Sequence, residues 1–175
     1  MPQLLLLRHA KARAHSPEGD FARELSKRGR NDAVRLGAYL AGRGIVPDVT
    51  ISSPARRTRQ TTELILGEMP QAPGALFDNA LYNASADVIM RAMTRGGGGA
   101  RVLLVVGHNP GIGELAHALA LSGGENLAEL QSDYPTCALA IFETTADISD
   151  RNSDQFHLLK LLTPDIIPHD GNVGG

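Results

Sequence analysis

The first apolar run of the chain is Leu4-Leu5-Leu6-Leu7, and it breaks off abruptly at Arg8-His9-Ala10. A second apolar run, residues 102–106, ends in the same way at Gly107 and His108. Uninterrupted apolar runs of this length are typical of parallel strands that helices cover on both faces. Ligands of such sheets bind just beyond the carboxyl ends of the strands. The sequence therefore predicts that the two histidines lie at one functional site.

The composition is that of one globular domain. The chain has 175 residues, of which 42% are hydrophobic, enough for one substantial core but not for two. We expect a single domain over residues 1–163 and a loose C-terminal tail over 164–175. No apolar stretch approaches the length of a membrane span, and the first residues do not resemble a signal peptide. Since the single Cys137 cannot form an internal disulfide, we expect a cytoplasmic protein without membrane contact.

The charge distribution favours a small anionic substrate over nucleic acid. Residues 8–59 contain 12 Lys and Arg against 5 Asp and Glu, a balance of +7, whereas residues 60–175 contain 5 against 14, a balance of −9. A basic segment of this kind can bind nucleic acid. Several of its arginines, however, lie at predicted strand ends or at a helix start. Aromatic residues, which stack on single-stranded bases, make up only 4% of the chain, so we expect no nucleic-acid partner.

Predicted strands and helices alternate along the chain, which indicates an α/β fold. The predicted strands cover 4–7, 49–51, 102–106, 137–142 and 156–162, and the predicted helices cover 26–42, 53–66, 85–94 and 110–121. The last two strands have no helix between them, so we expect an antiparallel pair at a sheet edge. Residues 10–24 are polar and are expected to form a loop over the end of the first strand.

Three polar residues are placed to cap helices. Ser26 and Ser53 are expected as the N-caps that open their helices, Asn109 directly precedes the helix that starts at Pro110, and Pro54 is expected at the first helical position after Ser53. A helix N-terminus offers unpaired N–H groups and a partial positive charge. The helices expected after Ser53 and Asn109 would therefore favour a bound anion at the strand ends.

The side chains at these strand ends suit phosphate chemistry. Arg8 and Arg57 offer forked donors that match phosphate oxygens. An imidazole such as that of His9 can attack phosphorus and carry the phosphoryl group covalently. A lone histidine at a strand end is more often structural. Two such histidines with arginines beside them are costly to bury without an anionic ligand, which favours a functional site.

Three motifs in the right order resemble the histidine phosphatase superfamily. They are Arg8-His9-Ala10, Ser53-Pro54-x-x-Arg57-x-x-Gln60-Thr61 and Gly107-His108-Asn109-Pro110. The compact length and Arg23-x-Leu25-Ser26-x-x-Gly29 are most similar to its SixA-type phosphohistidine phosphatase branch, and the resemblance covers roughly residues 3–120. It implies a three-layer α/β sandwich, in which helices cover both faces of a mixed, mostly parallel sheet.

The resemblance also implies a role for each matched residue. His9 would be the nucleophile, Arg8 and Arg57 would bind the phosphoryl oxygens, and a protonated His108 would donate a hydrogen bond to them. Arg23 would line the substrate pocket. We expect a metal-independent enzyme without a cofactor, because no His-x-His, His-Glu-x-x-His or clustered carboxylate pattern appears in the sequence.

One departure from the family pattern bears on the substrate. Many phosphomonoesterases of the superfamily carry an acidic residue at the position that matches Ala80 here. The expected substrate is therefore phosphohistidine on a protein, whose leaving group needs no acid. One alternative is a phosphatase of small phosphorylated metabolites that uses Asp78 as its general acid. Another, of a different class, is a non-catalytic module that binds phosphoproteins.

Overall fold

A computed structural model describes residues 1–124, 134–150 and 156–168 of the protein. Its strands are β1 (Gln3–Arg8), β2 (Val49–Ser52), β3 (Leu76–Phe77), β4 (Val102–Gly107), β5 (Leu139–Thr144) and β6 (Phe156–Leu162). Its α-helices are α1 (Lys27–Ala41), α2 (Arg56–Gly67), α3 (Ala86–Gly96) and α4 (Gly111–Ser122). Short 3-10 turns lie at Asp20–Ala22 and Asn79–Leu81. None of the helices in these ranges is long and apolar enough to cross a membrane.

The strands form one mixed sheet in the order β3-β2-β4-β1-β5-β6. The first four of these run parallel to one another, and β5 and β6 continue the sheet in antiparallel pairing. The predicted α/β class and the antiparallel pair at one edge are confirmed. The two strands with histidines at their ends are direct neighbours, since Arg8 of β1 is in register with Gly107 of β4. The carboxyl ends of β1 and β4 therefore lie side by side at one end of the central strands of the sheet.

The leucines of β1 contribute to the hydrophobic core on both faces of the sheet. Leu4 and Leu6 pack into the cluster that includes side chains of α3 and α4, whereas Leu5 and Leu7 pack into the cluster of α1 and α2. All four leucines are completely buried. The continuous apolar pattern is explained because alternate side chains of a strand point to opposite faces, and here both faces are covered by helices.

The N-terminus of α1 forms as predicted. The Ser26 hydroxyl accepts a hydrogen bond of 3.1 Å from the backbone N–H of Gly29. The same hydroxyl donates to the carbonyl of Lys11, 3.0 Å away, and so ties the helix to the loop that follows β1. Gly29 permits this contact, because a Cβ atom at its position would lie 2.1 Å from the Lys11 carbonyl oxygen.

The other two predicted caps are wrong. Helix α2 begins at Arg56, with Ala55 at its cap position, and α4 begins at Gly111, with Pro110 at its cap position. In both cases the chain needs additional residues to turn from the strand into the helix. The side chains of Ser53 and Asn109 are therefore released from capping and make contacts around the candidate site.

The C-terminal stretch differs in part from the expected loose tail. Arg35 of α1 donates hydrogen bonds to the carbonyl oxygens of Pro164, Ile167 and Pro168. The Ile167 side chain is buried against the α1 and α2 side of the core. Residues 164–168 therefore pack against α1, while the rest of that expected tail, 169–175, lies outside the described residues. The two-residue strand β3 was not predicted, because so short a segment has no detectable periodicity.

Candidate active site

The candidate site lies at the carboxyl ends of β1, β4 and β2. His9 follows β1 directly and is 93% buried. Its backbone N–H donates to the Gly107 carbonyl at 3.1 Å, and its own carbonyl accepts from the backbone N–H of Cys137 at 3.1 Å. These hydrogen bonds to both neighbouring segments hold the His9 backbone in place. Cys137 is buried and adopts a φ of +62° at this contact.

The hydrogen bonds of His9 identify its tautomer. Its Nδ1 lies 2.7 Å from the Ala10 carbonyl oxygen, which can only accept, so Nδ1 carries the proton. Its Nε2 is therefore unprotonated, and the lone pair of that atom accepts a hydrogen bond from the Nε–H of Arg57 at 3.2 Å. Burial, opposed by the Ala10 hydrogen bond and aided by the charges of Arg57, Arg8 and Arg23, lowers the pKa of His9 to about 4. His9 is thus neutral at physiological pH.

Arg57 connects the two histidines. It lies in the first turn of α2 and is 97% buried. Its Nη2 donates to Nδ1 of His108 at 3.2 Å, while its Nε donates to His9. Because Arg57 can only donate, His108 accepts at Nδ1 and carries its proton on Nε2, which donates to the Ser53 hydroxyl at 2.8 Å. The two imidazole rings lie with centroids 5.2 Å apart.

His108 is neutral at physiological pH in this environment, whereas the role expected for it beside a bound dianion needs a protonated ring. Burial, together with the nearby His9 and Arg57, lowers its pKa to about 3. With its lone pair on Nδ1, the ring can donate a hydrogen bond to an oxyanion there only after it takes up a proton. A phosphoryl dianion would favour that protonation.

Arg8 is held by a different part of the chain. Its Nη1 donates to the Tyr134 carbonyl at 2.7 Å, and the Asn109 side chain donates to the same carbonyl at 2.9 Å. The Tyr134 hydroxyl donates to the Leu6 carbonyl at 2.7 Å and accepts from the Ala140 backbone N–H at 2.8 Å. Tyr134 is thus anchored to β1 and β5, and its carbonyl fixes Arg8 beside the site.

Arg23 reaches the site through a residue that sequence reasoning missed. Its Nε donates to Oδ1 of Asp20 at 2.8 Å, and Oδ2 of Asp20 accepts from Nη2 of Arg57 at 3.1 Å. The Tyr82 hydroxyl also donates to Oδ2 of Asp20, at 2.7 Å, and the Tyr82 ring stacks edge-on against His108 with centroids 5.5 Å apart. Neither Asp20 nor Tyr82 belongs to a motif, so the sequence carries no signal for them beyond their polar surroundings.

The side chain of Asp78 makes its hydrogen bonds away from the two histidines. Its Oδ2 accepts from Arg95 at 2.6 Å, and its Oδ1 accepts from the backbone N–H of Ala80 at 2.9 Å. Neither partner belongs to the group around His9. Within the described residues, no group of three or more His, Cys, Asp and Glu side chains is arranged to hold a metal ion.

Comparison with known proteins gives one consistent result. The profile of the histidine phosphatase superfamily (branch 1) matches residues 4–77. The structure resembles SixA from Agrobacterium tumefaciens, a candidate phosphohistidine phosphatase, with 30% identity and a TM-score of 0.75 over 94% of this chain and 99% of that one. It also resembles candidate SixA from Nakamurella multipartitia, with 27% identity and a TM-score of 0.78 over 93% and 96%.

A third similar structure is the protein histidine phosphatase SixA complexed with tungstate. It shares 20% identity and has a TM-score of 0.75, over 93% of this chain and 97% of that one, so it supports the fold alone. The SixA likeness extends over nearly the whole of both chains. The chain belongs to the histidine phosphatase superfamily, a membership that supports phosphatase activity.

Proposed function

We propose that this protein removes the phosphoryl group from phosphohistidine on a protein, through a covalent intermediate on His9. The observation that carries the proposal is the state of Nε2 of His9. This atom is unprotonated, and it faces the Nε–H of Arg57 at 3.2 Å, inside a buried cationic site. The two SixA neighbours described as candidate phosphohistidine phosphatases support the same substrate class.

In the first step, the lone pair of Nε2 attacks phosphorus in line with the leaving group. The new P–N bond forms as the substrate's own P–N bond breaks. The departing imidazole takes the bonding electron pair and keeps the proton on its other nitrogen, so it leaves neutral. The proton on Nδ1 of His9 stays in its hydrogen bond to Ala10, and the phosphorylated ring carries the positive charge.

The second step returns His9 to its starting state. Water attacks phosphorus, and the electrons of the P–Nε2 bond return to the ring. One proton of the water passes to phosphate oxygen or to solvent. Arg57, Arg8 and a His108 that takes up a proton from solvent when the dianion binds stabilise the charge on the phosphoryl oxygens in both steps, and we therefore expect no need for a metal ion.

The carboxylates near the site support a preference for P–N over P–O bonds. Alkoxide is a poor leaving group, and protonating it by a general acid contributes about two to four orders of magnitude to a rate. Ala80 offers no such acid. Asp78 is bonded to Arg95, and hydrogen bonding by Tyr82 and the charge of Arg57 hold the pKa of Asp20 at about 2, so Asp20 stays ionised.

Trapping the intermediate tests the covalent step. During turnover of a ³²P-phosphohistidine peptide, rapid quenching in base should leave label on the protein that is stable in base and labile in acid. His9→Ala should lose the label and at least about three orders of magnitude of kcat. His157→Ala, at an exposed position on β6, is the matched control and should retain both. A chelator should not change the wild-type rate.

The outcomes separate the alternatives. Substantial turnover by His9→Ala would contradict the proposal. Tight binding of the phosphopeptide without turnover by the wild type would identify a binding module instead.

A substrate panel tests the preference for phosphohistidine. The wild type should turn over the phosphohistidine peptide with a higher kcat/KM than a phosphoserine peptide or small alkyl phosphates. Asp78→Asn should change phosphohistidine turnover less than twofold. Strong activity on alkyl phosphates that Asp78→Asn abolishes would establish the metabolite-phosphatase alternative.

A further inference from the structure

Asp20 lies where the loop after β1 turns over the candidate site. It begins the 3-10 turn Asp20–Ala22, and its side chain is 50% exposed, whereas that of its partner Arg57 is only 3% exposed. Two oxygens of Asp20 contact Arg57. The backbone carbonyl accepts from Nη1 at 2.8 Å, and Oδ2 accepts from Nη2 at 3.1 Å.

The planar guanidinium of Arg57 makes hydrogen bonds along two of its edges. The Nε and Nη2 side faces the two histidines, with 3.2 Å to Nε2 of His9 and 3.2 Å to Nδ1 of His108. The outer edge, formed by Nη1 and Nη2, is occupied by Asp20. A guanidinium bonded at two of its nitrogens cannot rotate in its plane or swing out of it without breaking hydrogen bonds. The edge that would meet a phosphoryl group is thereby held towards both histidines.

The same carboxylate fixes two further groups at the mouth of the site. Its Oδ1 accepts from Arg23, and its Oδ2 accepts from the Tyr82 hydroxyl. The Tyr82 ring in turn packs against His108 on one side and Phe21 on the other, with centroids 5.5 and 5.0 Å apart. Asp20 therefore lies where Arg57, Arg23 and Tyr82 converge, although it contacts neither histidine ring.

We propose that Asp20 is a positioning residue for the phosphatase reaction, which holds the guanidinium of Arg57 in the orientation that the transition state requires. The inference rests on the proposed function, since it assumes that phosphoryl transfer takes place at His9. Asp20 acts through Arg57 and does not itself donate a proton. Its negative charge also repels a bound dianion, so its contribution lies in orientation and not in ground-state affinity.

Asp20→Asn separates orientation from affinity. It keeps the backbone carbonyl and the shape of the side chain but removes the charge that holds Arg57. With p-nitrophenyl phosphate as substrate, kcat should fall about tenfold, in line with the sensitivity of catalysis to small misplacements. The inhibition constant of tungstate should stay the same or fall, because a repulsive charge has been removed. Asp87→Asn, at an exposed ion pair with Arg91 on α3, is the matched control and should change neither quantity.

A double-mutant cycle asks whether Asp20 acts through Arg57. The lysine of Arg57→Lys lacks the forked group that Asp20 orients. Asp20→Asn should therefore lower kcat less than twofold in the Arg57→Lys background. In parallel, Nη signals of ¹⁵N-arginine-labelled protein, assigned to Arg57 by their loss in Arg57→Lys, should be resolved in the wild type. They should be averaged by rotation in Asp20→Asn. This measurement requires no activity.

The inference fails if kcat of Asp20→Asn stays within twofold of the wild type, or if the tungstate inhibition constant rises as much as kcat falls. It also fails if the Nη signals of Arg57 are unaffected. Lack of phosphatase activity in the wild type would instead overturn the proposed function.

Discussion

At the scale of the residue, the environment of a histidine sets its chemistry. His9 is kept neutral by burial and by arginine charges, and its hydrogen bond to Ala10 leaves the lone pair on Nε2, beside Arg57. A free imidazole at neutral pH would be divided between two tautomers and a protonated form. The fold thus holds the ring in one tautomer and one protonation state, which is the state that the proposed attack on phosphorus requires.

The lowered pKa of His9 predicts activity in mild acid. Because protonation of Nε2 would block attack, and the pKa of His9 is about 4, protonation of His9 should begin to lower kcat/KM only below about pH 5. The check is the pH profile with p-nitrophenyl phosphate, corrected for ionisation of the substrate, alongside ¹⁵N NMR titration of His9 assigned by His9→Gln. An acid limb centred near 6.5, the ordinary value for histidine, would contradict this reading of the site.

At the scale of the element, the loop of residues 10–24 carries Asp20, which no sequence motif reveals. The loop is anchored at its base, where the Lys11 carbonyl accepts from both the backbone N–H and the hydroxyl of Ser26. The close approach of Gly29 to Lys11 makes this anchor possible. We therefore infer that the contact between the start of α1 and Lys11 helps to hold the loop, and with it Asp20, in position over His9.

Gly29→Ala tests this link. The new methyl group would lie 2.1 Å from the Lys11 carbonyl oxygen, which belongs to the backbone and cannot rotate away. We expect the free energy of unfolding, measured in urea, to fall by about 1–3 kcal/mol and kcat to fall as the loop shifts.

Gly67→Ala is the matched control for this prediction. Gly67 is the last residue of α2 and has open space around it, so alanine there should be neutral or stabilise the protein by up to about 1 kcal/mol. Equal stabilities for the two variants would show that the Lys11 contact does not constrain the loop.

At the scale of the whole molecule, the lowered pKa values of the two buried histidines make the folded protein less stable in acid. The pKa of His9 is lowered to about 4 and that of His108 to about 3, whereas the unfolded chain binds protons at both near pH 6.5. Between pH 6.5 and about 4 the unfolded state therefore binds more protons than the folded state. Stability rises with pH in that window and is lost as the pH falls.

This linkage predicts the pH dependence of unfolding. Each of the two histidines should contribute a slope approaching about 1.4 kcal/mol per pH unit within the window. Urea unfolding at pH 7, 6 and 5 measures the slope for the wild type. The doubly substituted His9→Gln, His108→Gln protein should lose most of the dependence. An unchanged slope in that variant would assign the acid sensitivity to other groups.

The sequence by itself determined the layered α/β fold and the strand ends that carry the site. A strand such as β1 can be recognised from its own residues, because helices cover both of its faces and its buried side chains are therefore apolar. The strand ends where the polar residues begin. The strand ends with Arg8, His9 and His108 could be predicted for that reason, and so could the cap at Ser26.

Only the tertiary structure decided the partners of these side chains. Asp20 is 37 residues from Arg57 and 62 from Tyr82, and it meets them because the loop folds back over the strand ends. The prediction of Ser53 and Asn109 as helix caps was wrong, because a local sequence pattern cannot show how many residues the turn between strand and helix will use. The neutral state of His108 in this environment could not be predicted either, because a pKa depends on burial and on neighbouring charges that no local stretch of sequence contains.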